Sequence, residues 1–361
     1  MSKNLSNIFC ELLPYKKENL FSVLSGKQAI GWQIKLFNLP DVWKFSQGES
    51  VRVAVLDTGI DLDHEDLKEN IIEGKNFVNP NEPPSDKCGH GTHCAGIIAA
   101  SNNETGVVGV APKAKIMPVK VLDDNGNGNM ESVLQGLRWA GENNADLICM
   151  SLGTSEPVEE IRKEIEELIK NKTVVFVAAG NAGNTEHLLY PAAYTETISI
   201  GAIDENCLRA DFSCTGPNLD FIAPGVKIYS TIPENTYSFM SGTSMACPFA
   251  VGVAALVLSS KRQFNKDVRL CPDQYRDIFK TNALPAKNID KLMDNKGPRF
   301  WQGMGIINPA EFTDWVIERN LREIKQKVKD LHDFVTKFSE KEMLKNLKEE
   351  KSLLESLINN F

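Results

Sequence analysis

The chain has 361 residues, 42% hydrophobic and 24% charged, a globular composition that excludes wholesale disorder and fibrous repeats. Lys and Arg number 40 against 48 Asp and Glu, and the formal charge of −8 argues against a sequence-independent nucleic-acid binder, which needs a basic surplus. The longest apolar run, Ala246 to Leu258, falls short of the roughly 18 residues that cross a bilayer and contains Pro248, so no membrane span is expected.

Residues 1–43 are weakly periodic, with breaks at Pro14 and Gly26, and read as an arm and linker. Met1 to Leu13 carries no uninterrupted apolar stretch and does not resemble a secretory leader. The cysteines at 10, 88, 94, 149, 207, 214, 247 and 271 form no CxxC pair, so free thiols in a reducing cytoplasm are the expectation. Residues 44–316 alternate β-rich runs (Val51–Leu56, Ile116–Val121, Leu147–Ser151, Val174–Ala179, Thr197–Ile203, Phe221–Ile222) with amphipathic stretches such as Met130–Asn143 and Val158–Asn171. Runs that are apolar on both sides, alternating with helices, predict an α/β fold: a doubly wound parallel sheet with helices on both faces. Asn308-Pro309-Ala310-Glu311 has the form of a helix start. The apolar positions Leu321, Ile324, Val328, Leu331, Val335 and Phe338 then step by 3 and 4, a coiled-coil seam. Ser339 with Glu342 opens a second helix, so residues 317–361 read as a helical C-terminal extension.

Three motifs carry chemistry. Val53-Ala54-Val55-Leu56-Asp57-Thr58-Gly59 puts an acid at the carboxyl end of a buried strand, where α/β folds build sites. Gly89-His90-Gly91-Thr92-His93 opens a small-residue helix. Gly242-Thr243-Ser244-Met245-Ala246-Cys247-Pro248 sets a serine at a helix start, beside unpaired N–H groups and the positive end of the dipole. In isolation each has an ordinary explanation: a turn-forming Asp, a structural His, a capping Ser. Together they supply a nucleophile, a base to take its proton and a carboxylate to orient the base.

These residues resemble the subtilisin-like serine proteases over about residues 44–316, in which the three groups follow in the order Asp, His, Ser. The resemblance implies a serine endopeptidase with Ser244 as nucleophile, His90 as general base and acid, Asp57 as orienting carboxylate and Asn181 as oxyanion donor. It further implies that peptide or protein substrates lie extended between Gly126-Asn127-Gly128 and Ser151-Leu152-Gly153. Met130 and Val133 would line the pocket for the fourth residue before the cut, and Leu189 the floor of a shallow primary pocket. The same resemblance implies calcium, held by Asp66, by Asn103 and by the carbonyls of Ser101, Thr105 and Val107; all-oxygen ligation suits that ion. Residues alone would read this loop as ordinary Asx turns. Phe249 stands where the family often has His.

Glu11-Leu12-Leu13-Pro14-Tyr15 is similar to the short inhibitory element of bacterial intracellular subtilisins, which implies a zymogen whose arm lies across its own cleft. Pro14 lacks an N–H and has fixed φ, so it cannot complete a substrate-like ladder. The C-terminal seam must be covered, either by folding back or by pairing with a second chain as a homodimer. Two other readings are a dedicated processing or peptide-cyclising protease and a non-catalytic binding scaffold. The first lacks the insertions that would shield the site, and the second is disfavoured by the four intact groups.

Overall fold

The computed structural model describes residues 4–18, 27–183, 187–292, 296–310, 325–333, 351 and 354–356. In chain order the strands are β1 (Phe9–Leu12), β2 (Lys16–Glu18), β3 (Arg52–Asp57), β4 (Lys75–Asn76), β5 (Lys115–Lys120), β6 (Asn127–Asn129) and β7 (Leu147–Met150). They continue with β8 (Leu152–Gly153), β9 (Val174–Ala178), β10 (Ile198–Ile203), β11 (Phe221–Pro224), β12 (Ile228–Ile232) and β13 (Thr236–Ser241). The helices from the start of the domain through its core are α1 (Trp32–Leu36), α2 (Leu39–Val42), α3 (His90–Ala99), α4 (Met130–Glu142), α5 (Glu159–Lys170), α6 (Thr243–Arg262) and α7 (Pro272–Thr281).

Seven strands form one parallel sheet in the order β11-β10-β9-β7-β3-β5-β4. Strand β3 shows why the expected α/β fold forms. Its apolar residues are buried, and successive side chains point to opposite faces. A Cβ added to Gly136 of α4 would lie 3.4 Å from Leu56, and one added to Gly91 of α3 would lie 3.1 Å from the Cβ of Asp57. Helices α4 and α3 therefore cover opposite faces, with α5 beside α4 and α6 beside α3. After β3 the chain builds β4 and β5 on one side, then returns through α4 to β7 on the other. That reversal leaves a crevice at the carboxyl ends of β3 and β7.

Helix α6 corrects one reading of the sequence. It runs 20 residues, long and apolar enough to cross a bilayer by composition, yet its most apolar window is entirely buried in the domain. Pro248 lies inside it and does not end it. A proline removes the hydrogen bond to the carbonyl four residues earlier, here that of Ser244. That carbonyl is satisfied instead by Ser151 Oγ, which donates at 3.1 Å, and by the Cys94 thiol at 3.4 Å.

Sequence periodicity missed the short elements: β4, β6, β8, the arm strands and the β12–β13 hairpin. The hairpin turns through Glu234 and Asn235, both at positive φ, and β12 packs on α3. Residues 325–333 of the extension are helical, with Val328 exposed and Leu331 half-buried. Leu321, Ile324, Val335, Phe338 and the helix start at Ser339 lie outside the described residues.

Candidate active site

The crevice gathers the expected groups from three elements. Asp57 ends β3, His90 begins α3 and Ser244 lies in the first turn of α6. The Asp57 carboxylate accepts from His90 Nδ1, with Oδ1 at 2.8 Å and Oδ2 at 3.0 Å, and from the Thr58 N–H at 2.8 Å. Both side chains are buried, so the carboxylate exchanges water for these two donors, and the bond fixes the ring with Nε2 free for chemistry. His90 Nε2 and Ser244 Oγ are buried, and neither has a hydrogen-bond partner among the described residues. Gly91 is needed beside them, because a Cβ there would fall 2.1 Å from the Gly59 carbonyl oxygen.

Asn181 follows β9. Its Oδ1 accepts from the Thr243 N–H and hydroxyl, both at 2.9 Å, and this turns its Nδ2 toward the cleft. There Nδ2 donates to the carbonyl of Pro14 at 2.7 Å. A carboxamide locked at one end and aimed at a carbonyl with the other is suited to stabilise an oxyanion.

The arm lies in the cleft. Strand β1 pairs antiparallel with β6 through Cys10–Gly128 and Glu11–Asn127, and with β8 through Glu11–Gly153 and Leu12–Leu152. It is thus the middle strand between the two segments expected to hold substrate. Leu12 N–H donates to the Gly126 carbonyl at 2.9 Å, and a Cβ on Gly126 would meet Leu12 at 2.7 Å. Met130 N–H donates to the Ile8 carbonyl at 2.9 Å, and both Met130 and Val133 are buried. Among the described residues Ser151 makes no ladder pair with the arm, and its hydroxyl turns inward to the Ser244 carbonyl. Leu189 is half-buried and sits between two glycines, 3.2 Å from where a Cβ on Gly153 would be and 3.3 Å from one on Gly180. The buried Leu13 reaches the same spot, 3.3 Å from the Gly153 position. Tyr15 lays its ring 5.0 Å from that of His90. Beyond it, β2 pairs antiparallel with β13, a contact the sequence did not reveal.

The loop after α3 presents oxygens inward. The carbonyls of Ser101 and Val107 and the Asn103 Oδ1 converge on one atom, Gln28 Nε2, at 2.7, 2.9 and 3.3 Å. Three acceptors aimed at one point suit a hard cation as well as an amide. Asp66 is buried beside them. Its oxygens accept from Asn103 Nδ2, the Val107 N–H and the Tyr237 hydroxyl at 3.0, 2.8 and 3.0 Å. Thr105 enters through its N–H and hydroxyl, both 3.2 Å from Asn103 Oδ1. Gln28 was missed, because a lone glutamine far from its loop in sequence carries no signal.

A buried imidazole–carboxylate pair, a serine at a helix start and a donor trained on a strand-bound carbonyl make up the equipment of acyl transfer. Comparison with known proteins agrees. The model of the subtilase family, Peptidase S8, matches residues 48–305. An intracellular serine protease of Paenibacillus polymyxa is 41% identical over 271 residues, covering 73% of this chain and 82% of the relative. The major intracellular serine protease of Bacillus subtilis (strain 168) is 42% identical over 240 residues, 64% of this chain and 75% of the relative. Subtilisin DY of Bacillus licheniformis is 39% identical over 265 residues, 73% and 90% respectively. The chain belongs to the subtilase family and is a serine endopeptidase, a hydrolase of peptide or protein substrates.

One further histidine ties the site together. His93, one turn after His90, uses Nε2 to bond the carbonyls of Ile228 (3.1 Å) and Ser238 (3.0 Å), and so fastens α3 to the hairpin that leads into α6. Burial pushes its pKa down to about 3. The folded state holds this ring neutral, while the unfolded chain protonates it near the ordinary histidine value of 6.5. Its contribution is complete above that value and fades as pH falls toward 3. Between pH 6 and 4, His93→Gln should flatten the fall of unfolding free energy by up to about 1.4 kcal/mol per pH unit, read from urea unfolding.

Proposed function

We propose that the chain cleaves peptide bonds through Ser244, His90 and Asp57, and that it is made as an intracellular zymogen closed by its own arm. The observation that carries this reading is residues 9–12 threaded as a strand through the cleft, followed by the Pro14 carbonyl 2.7 Å from Asn181 Nδ2. In the cycle Ser244 Oγ attacks the scissile carbonyl as His90 Nε2 takes its proton. Asp57 holds the Nδ1–H tautomer and stabilises the imidazolium that forms. Asn181 Nδ2 and the Ser244 N–H receive the oxyanion. His90 then passes its proton to the departing amine, and water repeats the sequence on the acyl-enzyme.

Inhibition by the arm rests on register. The side chain beside Gly153 and Leu189 is Leu13, but the carbonyl bonded to Asn181 is that of Pro14. A substrate presents side chain and scissile carbonyl from one residue, so the arm occupies both positions one residue out of step. Proline supports this by lacking the N–H of a ladder residue. Tethering gives the arm a high effective concentration, and weak contacts then suffice. The names of two relatives, both described as intracellular, support a cytoplasmic location.

Calcium fits the loop of residues 101–107. Ser101, Asn103, Val107 and Asp66 supply oxygens, Thr105 lies on the same turn, and rotation of the Gln28 amide would exchange its nitrogen for Oε1. The ion would neutralise Asp66 and stiffen the loop, and it takes no part in the proton transfers. Pairing of the C-terminal helices with those of a second chain is proposed as the way their apolar seam is covered.

Three outcomes test these assignments. Casein cleavage by the activated protein should fall about 10⁵- to 10⁶-fold in Ser244→Ala, with little further loss in a double variant with His90→Ala. Asn181→Ala should cost about 10²- to 10³-fold. Full activity in Ser244→Ala would end the reading. Chelation should lower the melting temperature, since an ion bound only by the folded state at about 100 Kd adds about 2.7 kcal/mol; Gln28→Ala and Asp66→Ala should each shrink the shift. Full-length protein should be nearly inactive and gain activity after a lag. A chain beginning at Lys27 should show no lag, and Pro14→Ala a shorter one; immediate full activity of the intact chain would reduce the arm to packing.

A further inference from the structure

Asp86 lies four residues before His90 and is 5% exposed. Its carboxylate accepts five hydrogen bonds. Oδ1 takes the Thr58 hydroxyl and the N–H groups of Cys88 and Gly89, each at 2.9 Å. Oδ2 takes the Thr92 N–H at 3.0 Å and the Thr92 hydroxyl at 2.6 Å. A carboxylate offers about four lone-pair positions, so this acceptor is saturated.

The donors come from both sides of the Asp57–His90 pair. On one side, the Thr58 hydroxyl donates to Asp86 and accepts from the Gly91 N–H at 3.0 Å, while the Thr58 N–H holds Asp57 Oδ1. On the other, Gly89 and Thr92 bracket His90 in the first turn of α3. The cap residue of that helix is Gly89, at φ +97 and without a side chain, so the orphan N–H groups need an acceptor from elsewhere. Asp86 supplies it from three residues upstream. The Thr92 hydroxyl in turn accepts the Asp61 N–H at 3.0 Å, binding the loop after β3 a second time. Thr58, Thr92 and His90 are fully buried, so no water replaces a lost partner.

We propose that Asp86 is a positioning residue for the proteolytic reaction: one buried carboxylate clamps the loop after Asp57 to the helix that begins with His90, and so sets the geometry of their hydrogen bond. The proposal rests on the triad reading above. Asp86 does not touch Ser244 or the arm's Pro14 carbonyl, and its effect passes through Thr58, Gly89 and Thr92. Asparagine keeps the volume but turns an NH₂ toward donors, so the two anchoring segments part.

The test uses the full-length protein. The His90 Nδ1–H, strongly deshielded by its carboxylate, should give a downfield proton resonance that vanishes in His90→Gln. Asp86→Asn should move or broaden it in protein that still unfolds cooperatively. Once activity has developed, kcat per titrated active site should fall about 10- to 100-fold with KM within about twofold, the scale expected of misplacement by a fraction of an ångström. Thr58→Val, which severs one arm of the clamp in a more conservative way, should give a smaller change of the same kind and serves if Asp86→Asn does not fold. An unchanged resonance and unchanged kcat per site, with any loss explained by the folded fraction, would overturn the proposal. Absence in the parent protein of any resonance dependent on His90 would instead sink the triad reading.

Discussion

The hydrogen bond between Asp57 and His90 is the constraint on which the site depends, because it joins the sheet to the helix layer at a point closed to water. A charged carboxylate at that depth is tolerable only if donors replace its hydration. The Thr58 N–H and His90 Nδ1–H do so. The bond therefore requires the β3 turn and the start of α3 to approach closely, which explains Gly91, whose Cβ would fall on the Gly59 carbonyl.

Ser244 is fixed by a different device. Pro248 breaks one rung of α6 and exposes the Ser244 carbonyl inside the protein. An unpaired buried carbonyl costs free energy, and here the hydroxyl of Ser151 and the thiol of Cys94 meet it. Those two partners come from the end of β7 and from α3. The sheet and α3 thus both hold the first turn of α6, and the serine is positioned through its backbone while its hydroxyl makes no hydrogen bond to the described residues.

The arm uses the same backbone chemistry that a substrate would use. Its β1 segment completes a three-stranded sheet and β2 extends the β12–β13 hairpin, so both stretches are satisfied by strand addition. Further along, Gln28 and Ala29 dock on the loop of residues 101–107, with the Ala29 N–H donating to the Gly106 carbonyl at 2.7 Å. The cleft and the proposed metal loop are in this way linked by one stretch of chain, although they stand at different places on the catalytic domain.

Much of this was legible in the sequence. Strands buried on both faces, alternating with amphipathic helices, determine a parallel sheet through hydrophobic burial alone. Asp57, His90 and Ser244 stand in motifs whose glycines reflect close backbone approach, so local sequence carried their signal. Periodicity missed β6, β8 and the arm strands because two to four residues make no measurable pattern; their pairing is decided by partners more than a hundred residues away. Sequence likewise cannot say which way the Ser151 side chain turns at the end of β7. Gln28 and Asp86 were invisible for a related reason. A single polar residue in a loop looks like any solvated one until folding removes the water and brings donors or acceptors around it, and only the tertiary structure decides which polar groups must satisfy one another.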